Sequence, residues 1–314
     1  MKMDFFERIM IPERVRIPLL GGWLYKALCN RARKKNRKID IKGLSLNKEP
    51  RDVTLTFTLT TFPDRIDSVQ YTLRSLFTQS MKPDRVVLWL AKEEFEGREL
   101  PESIKQFQEV GLEIRYCDNM FGHKRYYQLI PEQKENELIV MFDDDILFPK
   151  HLVYRLYKAW EKHPNCVVCD RGQVFTLDEN GEVLNPGRWS SISPIGVKKP
   201  SFRVLASPGG GCLLPPNALC KDAINTDLIK KYAIKTGDIW LMFMAVQNDT
   251  KIIRSYRYHR TFILSEKEQT VQLGREAIYQ GRYVQTFKDL SEAYPHAYNN
   301  IRSELNESME SNKK

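Results

Sequence analysis

The chain has 314 residues, of which 42% are hydrophobic, and its formal net charge at neutral pH is +9. This length suits one large domain or two small ones, and the excess of cations indicates an anionic partner: nucleic acid, acidic lipid or a phosphorylated small molecule. No segment approaches the roughly 20 apolar residues that span a bilayer, and six cysteines are too few for a disulfide scaffold. The N-terminus lacks the basic-then-apolar order of a secretory signal. A cytoplasmic protein is therefore predicted.

Residues 1–50 combine an irregular apolar stripe with a run of cations. The stripe extends from Ile11 to Leu28, and six cations follow between Arg31 and Lys38. This basic amphipathic arm is typical of a segment that binds an anionic membrane surface, here the inner face of the cell membrane. A helix docked on the body of the protein, with a solvated basic end, explains the same pattern equally well.

From residue 52 onward, strand patterns alternate with helix patterns. Apolar, β-branched stretches predict strands, and apolar residues at helical spacing predict helices. The strands are expected at residues 53–62, 85–91, 112–118 and 137–142, and the helices at 68–80, 101–111, 124–133 and 149–160. This order predicts an α/β fold with a Rossmann-like, mostly parallel sheet flanked by helices. The tail, residues 301–314, is predicted to be disordered.

Three successive acids, Asp143, Asp144 and Asp145, follow the strand at residues 137–142. Open α/β sheets bind ligands at the carboxyl ends of their strands. Side chains alternate along an extended chain, so Asp143 and Asp145 are expected on one side. Two neighbouring carboxylates repel, and Mn²⁺ or Mg²⁺, which prefers carboxylate oxygens and keeps positions open for a diphosphate, relieves this repulsion. The alternative makes one acid the N-terminal cap of the next helix.

Six motifs occur in order: "TLTTFPDRI", "SLFTQSMKPDRVVLWLAKEEF", "GHKRYYQLIP", "FDDDILFP", "PGGGCLLPP" and "TGDIWL". Through them, residues 53–260 resemble GT-A-fold glycosyltransferases of the bacterial capsule and surface-polysaccharide type. The resemblance implies transfer of a hexose from a nucleotide sugar, usually a UDP-sugar, to a saccharide or lipid-linked acceptor. It makes residues 51–150 the nucleotide-sugar-binding half and residues 151–300 the acceptor-binding half.

The same resemblance implies roles for individual residues. Asp143, Asp145 and His259 are the expected metal ligands, and Gly209 and Trp240 are expected at the acceptor. The expected nucleotide-sugar contacts are Thr61, Phe62, Pro63, Arg65, Lys124, Arg125, Asp143, Asp144, Gly210 and Gly211. Each has a simpler alternative: a turn for Pro63, solvated cations for Lys124 and Arg125, a ligand-free turn for the glycines, a core position for Trp240, and an ordinary histidine at position 259.

The motif "TGDIWL" departs from the pattern, because relatives typically read Asp-Asp-Ile-Trp and Gly237 replaces the first acid. Asp238 remains as the expected catalytic base of an inverting transfer, since an acceptor hydroxyl attacks well only when its proton can leave. The alternative for Asp238 is a helix N-terminal cap, which stabilises by about 1 kcal/mol.

Two other classes of protein compete with a glycosyltransferase. A nucleotidyltransferase that makes a nucleotide sugar usually carries a glycine-rich, lysine-bearing loop after the first strand, and "TTFPDRID" has none. A non-catalytic protein that binds anions, a membrane or nucleic acid would fit the charge. The cations gather in residues 31–38 instead of alternating with aromatic residues, which argues against nucleic acid.

Overall fold

The computed structural model describes the backbone of residues 20–176, 178, 182–184, 188–191, 193–256, 262–263 and 281–311. Side chains are described from residue 27 to residue 304 within these ranges, except at 262–263. His259 lies outside the described residues. None of the helices in the described part of the chain has the length and apolar character that a membrane crossing requires.

A seven-stranded sheet forms the centre of the molecule, with the spatial order β10-β6-β9-β4-β1-β2-β3. Its strands are β1 (Thr54–Thr60), β2 (Arg85–Ala91), β3 (Leu112–Cys117), β4 (Glu137–Phe142), β6 (Val167–Cys169), β9 (Gly210–Leu214) and β10 (Ile252–Arg254). Six of these run in one direction, and β9 runs antiparallel to its neighbours β4 and β6. The predicted α/β, mostly parallel, Rossmann-like sheet is confirmed. Two-stranded pairs join β5 (Ile146–Leu147) to β11 (Phe262–Ile263) and β7 (Gly172–Val174) to β8 (Val204–Ala206).

Helices cover the sheet because its strands are apolar on both faces. Leu55, Phe57 and Leu59 of β1 lie in one apolar cluster, and Ile139 and Met141 of β4 lie in the other. Burying each such side chain stabilises the fold by about 1.5–3 kcal/mol. The helices are α1 (Leu20–Arg37), α2 (Val69–Phe77), α3 (Lys92–Phe95), α4 (Glu102–Gln108), α5 (Leu152–Lys162), α6 (Thr226–Tyr232), α7 (Gly237–Gln247), α8 (Arg282–Ala293) and α9 (Pro295–Ser311).

Strand β9 contains an irregularity next to β4. Met141 pairs with Cys212, but the next residue, Phe142, pairs with Gly210, so Gly211 is an extra residue opposite β4. Gly211 has a φ of 94°, a conformation that glycine adopts without steric cost, as at many β-bulges.

The second half of helix α1 is docked on the body of the protein. Cys29 and Asn36 are buried, and the Asn36 side-chain amide donates a hydrogen bond to the carbonyl of Tyr71 at 2.9 Å. The guanidinium of Arg37 lies 5.5 Å from the centre of the Tyr71 ring. Lys34, Lys35 and Lys38 are exposed. The helix is therefore docked and still presents a basic surface, so the two interpretations of this arm are compatible.

Two sequence expectations are wrong. Residues 124–133 do not form an α-helix; two short 3₁₀ helices, Phe121–Arg125 and Ile130–Glu132, take their place, because Pro131 cannot continue an α-helix. The tail is not disordered as far as residue 311, since helix α9 extends through it. Ile301 is fully buried, and Glu304 accepts a hydrogen bond from the Ser201 hydroxyl at 2.5 Å.

Candidate functional site

The candidate site lies where the direction of the strand order changes, between β1 and β4. From β1 the chain adds β2 and β3 on one side, whereas β4, β9, β6 and β10 lie on the other. Open α/β sheets bind ligands at the carboxyl ends of strands beside such a switch point. Residues 61–65 follow β1, residues 143–145 follow β4 and residues 170–171 follow β6. The antiparallel strand β9 brings its start, Gly210, to the same edge.

Asp144 joins the segments that follow β1 and β4. Its carboxylate accepts hydrogen bonds from the Thr61 hydroxyl at 2.6 Å and from the Arg65 guanidinium at 2.8 Å. The Thr72 hydroxyl donates to the carbonyl of Asp144, also at 2.6 Å. Burial raises the pKa of Asp144, and the Arg65 charge opposes that rise. Thr61, Arg65 and Asp144 therefore bind one another and hold the acidic segment against β1.

Asp145 is a buried acid whose charge is only partly compensated. Its carboxylate lies 3.3 Å from the Arg65 guanidinium. Burial, followed by the charge of Asp143, raises the pKa of Asp145 to about 7. Asp143 contributes more to this rise than the adjacent Asp144 does. Asp144 and Asp145 lie in a turn and not in extended chain, and both contact Arg65, so the expectation that Asp144 points away from Asp145 is wrong. The N-terminal cap position of α5 is occupied by His151, so the prediction that one of these acids caps that helix is wrong.

Asp143 is the most open of the three acids, with a side chain 36% exposed, and it forms an ion pair with Arg125. The Asp143 amide donates to the carbonyl of Gly209 at 2.7 Å. A Cβ atom at position 209 would lie 1.8 Å from the Asp143 carboxyl carbon, so only glycine leaves room for that carboxylate. Gly209 is thus a support for Asp143, and its predicted acceptor contact stays a prediction.

Asp143 and Asp145 fit a hard divalent cation in their chemistry. They supply carboxylate oxygens, the Asp143 side chain is 36% exposed, and the charge of Asp143 contributes to the raised pKa of Asp145. Within the described residues, no group of three or more His, Cys, Asp or Glu side chains converges to hold a metal ion. Further ligands would therefore come from water, from substrate phosphate oxygens or from residues outside the described part, such as His259.

Asp238 is the second residue of helix α7 and is held by a side chain from α8. The Tyr283 hydroxyl donates to one Asp238 carboxylate oxygen at 2.6 Å, and the Ile239 amide donates to the other at 3.1 Å. Burial raises the pKa of Asp238, and the Tyr283 hydrogen bond opposes that rise. Thr236 occupies the cap position of α7 without a side-chain cap bond, so Asp238 is not the cap residue itself. Its carboxylate nevertheless satisfies a free first-turn amide, that of Ile239, as the capping alternative expects.

Asp238 shares its surroundings with the acids after β4. Burial raises the pKa of Asp238, and the charge of Arg125, which pairs with Asp143, is one of the contributions that oppose this rise. The pKa of Tyr283 is raised by burial, then by Asp238, with a smaller contribution from Asp143. Asp238 and Tyr283 are therefore close enough to the Asp143–Arg125 pair to interact with it electrostatically.

Gly237 has a structural reason to lack a side chain. A Cβ atom there would lie 3.3 Å from two ring atoms of His123. His123 is fully buried between the Ala233 carbonyl, 2.9 Å from its Nε2 atom, and the Tyr126 hydroxyl, 2.5 Å from its Nδ1 atom. Burial lowers the pKa of His123 to about 4, so this ring is neutral at pH 7. In place of the acid that the resemblance leads one to expect at this position, the helix start contacts a neutral imidazole.

We expect Gly237→Asp to lower both the thermal stability and the transfer activity. The new side chain must displace the His123 ring, and overpacking of this kind costs about 1–3 kcal/mol. Thermal denaturation and an activity assay check this, with Gly237→Ala as a control that adds the Cβ atom without charge. A gain of activity in Gly237→Asp, at unchanged stability, would contradict the structural role of Gly237.

The remaining predicted contacts have mixed outcomes. Lys124 is buried, and its ammonium lies 3.2 Å from the Asn119 side-chain oxygen and 3.8 Å from Glu94, facing the ends of β2 and β3. Burial lowers the pKa of Lys124. Trp240 is fully buried and donates to the carbonyl of Ala223 at 3.1 Å. Its ring offers no surface for a sugar, so its predicted acceptor contact is corrected to a core position.

Phe62, Pro63 and Gly211 have roles in local structure. Pro63 begins a 3₁₀ turn, Pro63–Arg65, which agrees with the alternative of a turn. The Arg65 guanidinium lies 5.1 Å from the centre of the Phe62 ring. A Cβ atom on Gly211 would lie 2.8 Å from a methyl group of Leu152. Nucleotide-sugar contacts at these positions stay predictions.

Two side chains of the site, Arg171 and Tyr283, were not predicted from the sequence. Arg171 follows β6, and the rule that ligands bind at strand carboxyl ends could have found it. Tyr283 is 45 positions from Asp238 along the chain. No sequence signal pairs them, because their contact depends on how α8 packs beside α7.

Comparisons with known proteins give only distant similarity. No family model matches the chain, and no curated protein matches it. Among solved structures, it is similar to a mannosyltransferase from Pyrobaculum calidifontis in complex with GDP-Man and Mn²⁺, with a TM-score of 0.44 and 13% identity over 91% of this chain and 85% of that one. It is also similar to 4-diphosphocytidyl-2C-methyl-D-erythritol synthase from Anaerococcus prevotii, with a TM-score of 0.42 and 12% identity over 73% of this chain and 97% of that one. Similarity at this level assigns neither activity to this chain.

Proposed function

We propose that the protein is a metal-dependent glycosyltransferase that moves a hexose from a nucleotide sugar, a UDP-sugar in the first instance, to a saccharide or lipid-linked acceptor in surface-polysaccharide synthesis. The observation that carries this proposal is the combination of acids at one sheet edge. The charge of Asp143 contributes to the raised pKa of Asp145 at the switch point. The carboxylate of Asp238 is hydrogen-bonded to Tyr283, on which the charge of Asp143 also acts. Sugar transfer needs both features: carboxylates for a cation beside the leaving diphosphate and a separate base for the acceptor.

The residues of the chain have distinct tasks in this proposal. Asp143 and Asp145 would hold Mn²⁺ or Mg²⁺, which when bound supplies positive charge for the departing diphosphate. Arg65 and Arg125 fix the acids in place. Asp238 accepts the proton of the acceptor hydroxyl, and the Tyr283 hydroxyl orients its carboxylate. The predicted mechanism inverts the anomeric centre, because Asp238 acts in it as a base for the acceptor hydroxyl and not as a nucleophile.

The structure offers less support for a nucleotidyltransferase. The segment after β1 is a short turn, and its cation, Arg65, is engaged by Asp144 and Asp145. A glycine-rich loop with a free lysine does not follow this strand. The hypothesis of a non-catalytic anion-binding protein gives no role to the hydrogen-bonded carboxylate of Asp238.

A panel of nucleotide sugars tests the proposal. Purified protein with Mn²⁺ is incubated with UDP-, GDP-, dTDP- and CMP-sugars, and slow release of the nucleotide is measured with and without a chelator. Metal-dependent release from one donor is the expected result. Pyrophosphate release from a nucleoside triphosphate and a sugar 1-phosphate would support the nucleotidyltransferase instead. Nucleic-acid binding without any nucleotide release would reject both enzyme classes.

We expect the basic surface of helix α1 to bind anionic membranes, which would bring the enzyme to a lipid-linked acceptor. Each cation near such a surface contributes about 1 kcal/mol, so Lys34→Glu with Lys35→Glu should weaken binding to phosphatidylserine vesicles by more than about tenfold. Co-sedimentation with vesicles measures this effect.

The matched control for that experiment is Lys230→Glu with Lys231→Glu, a second pair of adjacent exposed lysines on helix α6. Equal weakening by both pairs would show that only net charge matters and would reject the α1 surface. Deleting residues 1–40 is a poorer test, because it also removes the docked side chains of Cys29 and Asn36.

A further inference from the structure

We infer that Arg171 binds a phosphate group of a substrate, from the acceptor-binding half of the chain. The inference rests on the proposed function and adds a residue to its site. Arg171 follows β6 and begins the connection to β7. Since β6 runs parallel to β4, with β9 between them, Arg171 lies at the same sheet edge as Asp143, across β9.

The guanidinium of Arg171 is available to a ligand. Its side chain is exposed, and within the described part of the chain it makes no hydrogen bond or ion pair. The acids around it are engaged by other groups: Asp143 by Arg125, Asp145 by Arg65 and Asp238 by Tyr283. The neighbouring Asp170 accepts a hydrogen bond from the Ser255 hydroxyl at 2.9 Å. Arg171 is thus a cation of the site that is left for an external anion.

Two successive glycines support the charged side chains of this edge. A Cβ atom at position 210 would lie 2.5 Å from the Cβ atom of Arg171 and 3.0 Å from its Cδ atom, just as one at position 209 would collide with Asp143. The stem of Arg171 therefore lies on Gly210 while the carboxylate of Asp143 lies on Gly209. This arrangement limits the directions in which the Arg171 guanidinium can point.

The charge of Arg171 reaches both functional parts of the site. Burial and Asp143 raise the pKa of Asp145, and Arg171 opposes that rise. Arg171 also opposes the rise that burial and Asp238 cause in the pKa of Tyr283. The charge of Arg171 thus acts on one member of the proposed metal pair and on the hydrogen-bond partner of the proposed base, so a phosphate that it binds would lie near both.

A phosphate is the anion that this side chain fits best. The planar guanidinium presents parallel N–H donors that match two phosphate oxygens. In the proposed reaction, two sources carry such a group: the diphosphate of the donor and the phosphate of a lipid-linked acceptor. Their shared chemistry is a phosphate oxyanion, and the experiment has separate measurements for each source.

The test compares Arg171→Gln and Arg171→Lys with the wild type by calorimetric titration. Inorganic pyrophosphate is the first probe, because it requires no knowledge of the sugar. We expect Arg171→Gln to weaken its binding about tenfold or more and Arg171→Lys, which keeps the charge, to weaken it less. Arg302→Gln removes an exposed arginine of helix α9 and should leave binding unchanged. Thermal denaturation confirms that each variant is folded.

Two further titrations identify the source of the phosphate. Weaker binding of UDP or GDP with Mn²⁺ in Arg171→Gln assigns Arg171 to the donor diphosphate. Unchanged nucleotide binding, combined with weaker binding of inorganic phosphate to the nucleotide-saturated protein, assigns it to the acceptor phosphate. If Arg171→Gln equals the wild type with every probe, or the wild type binds none of them, the inference is overturned.

The results separate this inference from the proposed function. A wild type that binds pyrophosphate through Arg171 but releases no nucleotide from any donor would reject the glycosyltransferase and keep the phosphate site. A wild type that releases nucleotide, with Arg171→Gln unaltered in all titrations, would keep the enzyme and reject the role of Arg171.

Discussion

Replacing Asp238 by Asn is expected to lower the rate of sugar transfer by about 10²–10⁴-fold, the usual effect of losing a general base. The Asn side chain keeps the shape of Asp, and its oxygen can still accept the hydrogen bond from Tyr283, so the fold should persist. Metal-dependent nucleotide binding should be nearly unchanged. Transfer rates and nucleotide titrations on the same preparations measure these two effects separately.

Tyr283→Phe provides the companion variant for Asp238. It leaves the carboxylate in place but removes its hydroxyl partner, so a smaller loss of transfer rate is expected, together with a shift in its pH profile. If Asp238→Asn instead keeps most of the activity, the base must be another acid or the mechanism must be a retaining one.

Replacing Asp145 by Asn is expected to abolish the part of nucleotide binding that depends on Mn²⁺, because a neutral amide is a poorer ligand for a hard cation. Titration of UDP with Mn²⁺, and again with a chelator, isolates that part. Asp118→Asn, which removes an exposed carboxylate, is the control for a simple change of charge. Unchanged Mn²⁺-dependent affinity in Asp145→Asn would remove Asp145 from the metal site.

The same variant has an expected effect on stability. The pKa of Asp145 is about 7 in the folded chain, against an ordinary value of 3.8. The folded state therefore binds more protons than the unfolded state between these values, and the contribution of Asp145 to stability is lost as the pH rises through 7. Without metal, the melting temperature of the wild type should fall relative to that of Asp145→Asn between pH 5 and pH 8.

Local patterns were sufficient to predict much of the sheet. The strands Arg85–Ala91 and Glu137–Phe142 were predicted with their observed bounds, because apolar runs between polar or turn-forming residues are clear signals. The prediction of a helix at residues 124–133 was wrong because it gave more weight to the apolar spacing than to Pro131, which cannot continue an α-helix. Residues 301–304 were predicted to be disordered because three of the four are polar. They are ordered because Ile301 is buried and Glu304 accepts a hydrogen bond from Ser201.

The site was predictable in its location but not in its pairings. The three aspartates, the glycine motif and residues 61–65 predicted a ligand-binding site at the carboxyl ends of the strands. The sequence could not show that Arg65 is already bound to Asp144, that Trp240 belongs to the core, or that Tyr283 holds Asp238. These contacts join segments 17 to 79 residues apart, and only the packing of the folded chain brings them together.

The extra residue in β9 determines which glycine meets Asp143. Because Phe142 pairs with Gly210 and Met141 with Cys212, Gly209 lies beside Asp143 and Gly210 lies under Arg171. If β9 paired regularly without this bulge, Phe142 would lie opposite Gly211 and Asp143 opposite Gly210, so the extra residue is what brings Gly209 beside Asp143. For protein engineering, the practical consequence is that a residue inserted between Gly209 and Cys212 is expected to move Gly209 away from Asp143 or Gly210 away from Arg171, although these glycines lie more than 60 residues after the acids.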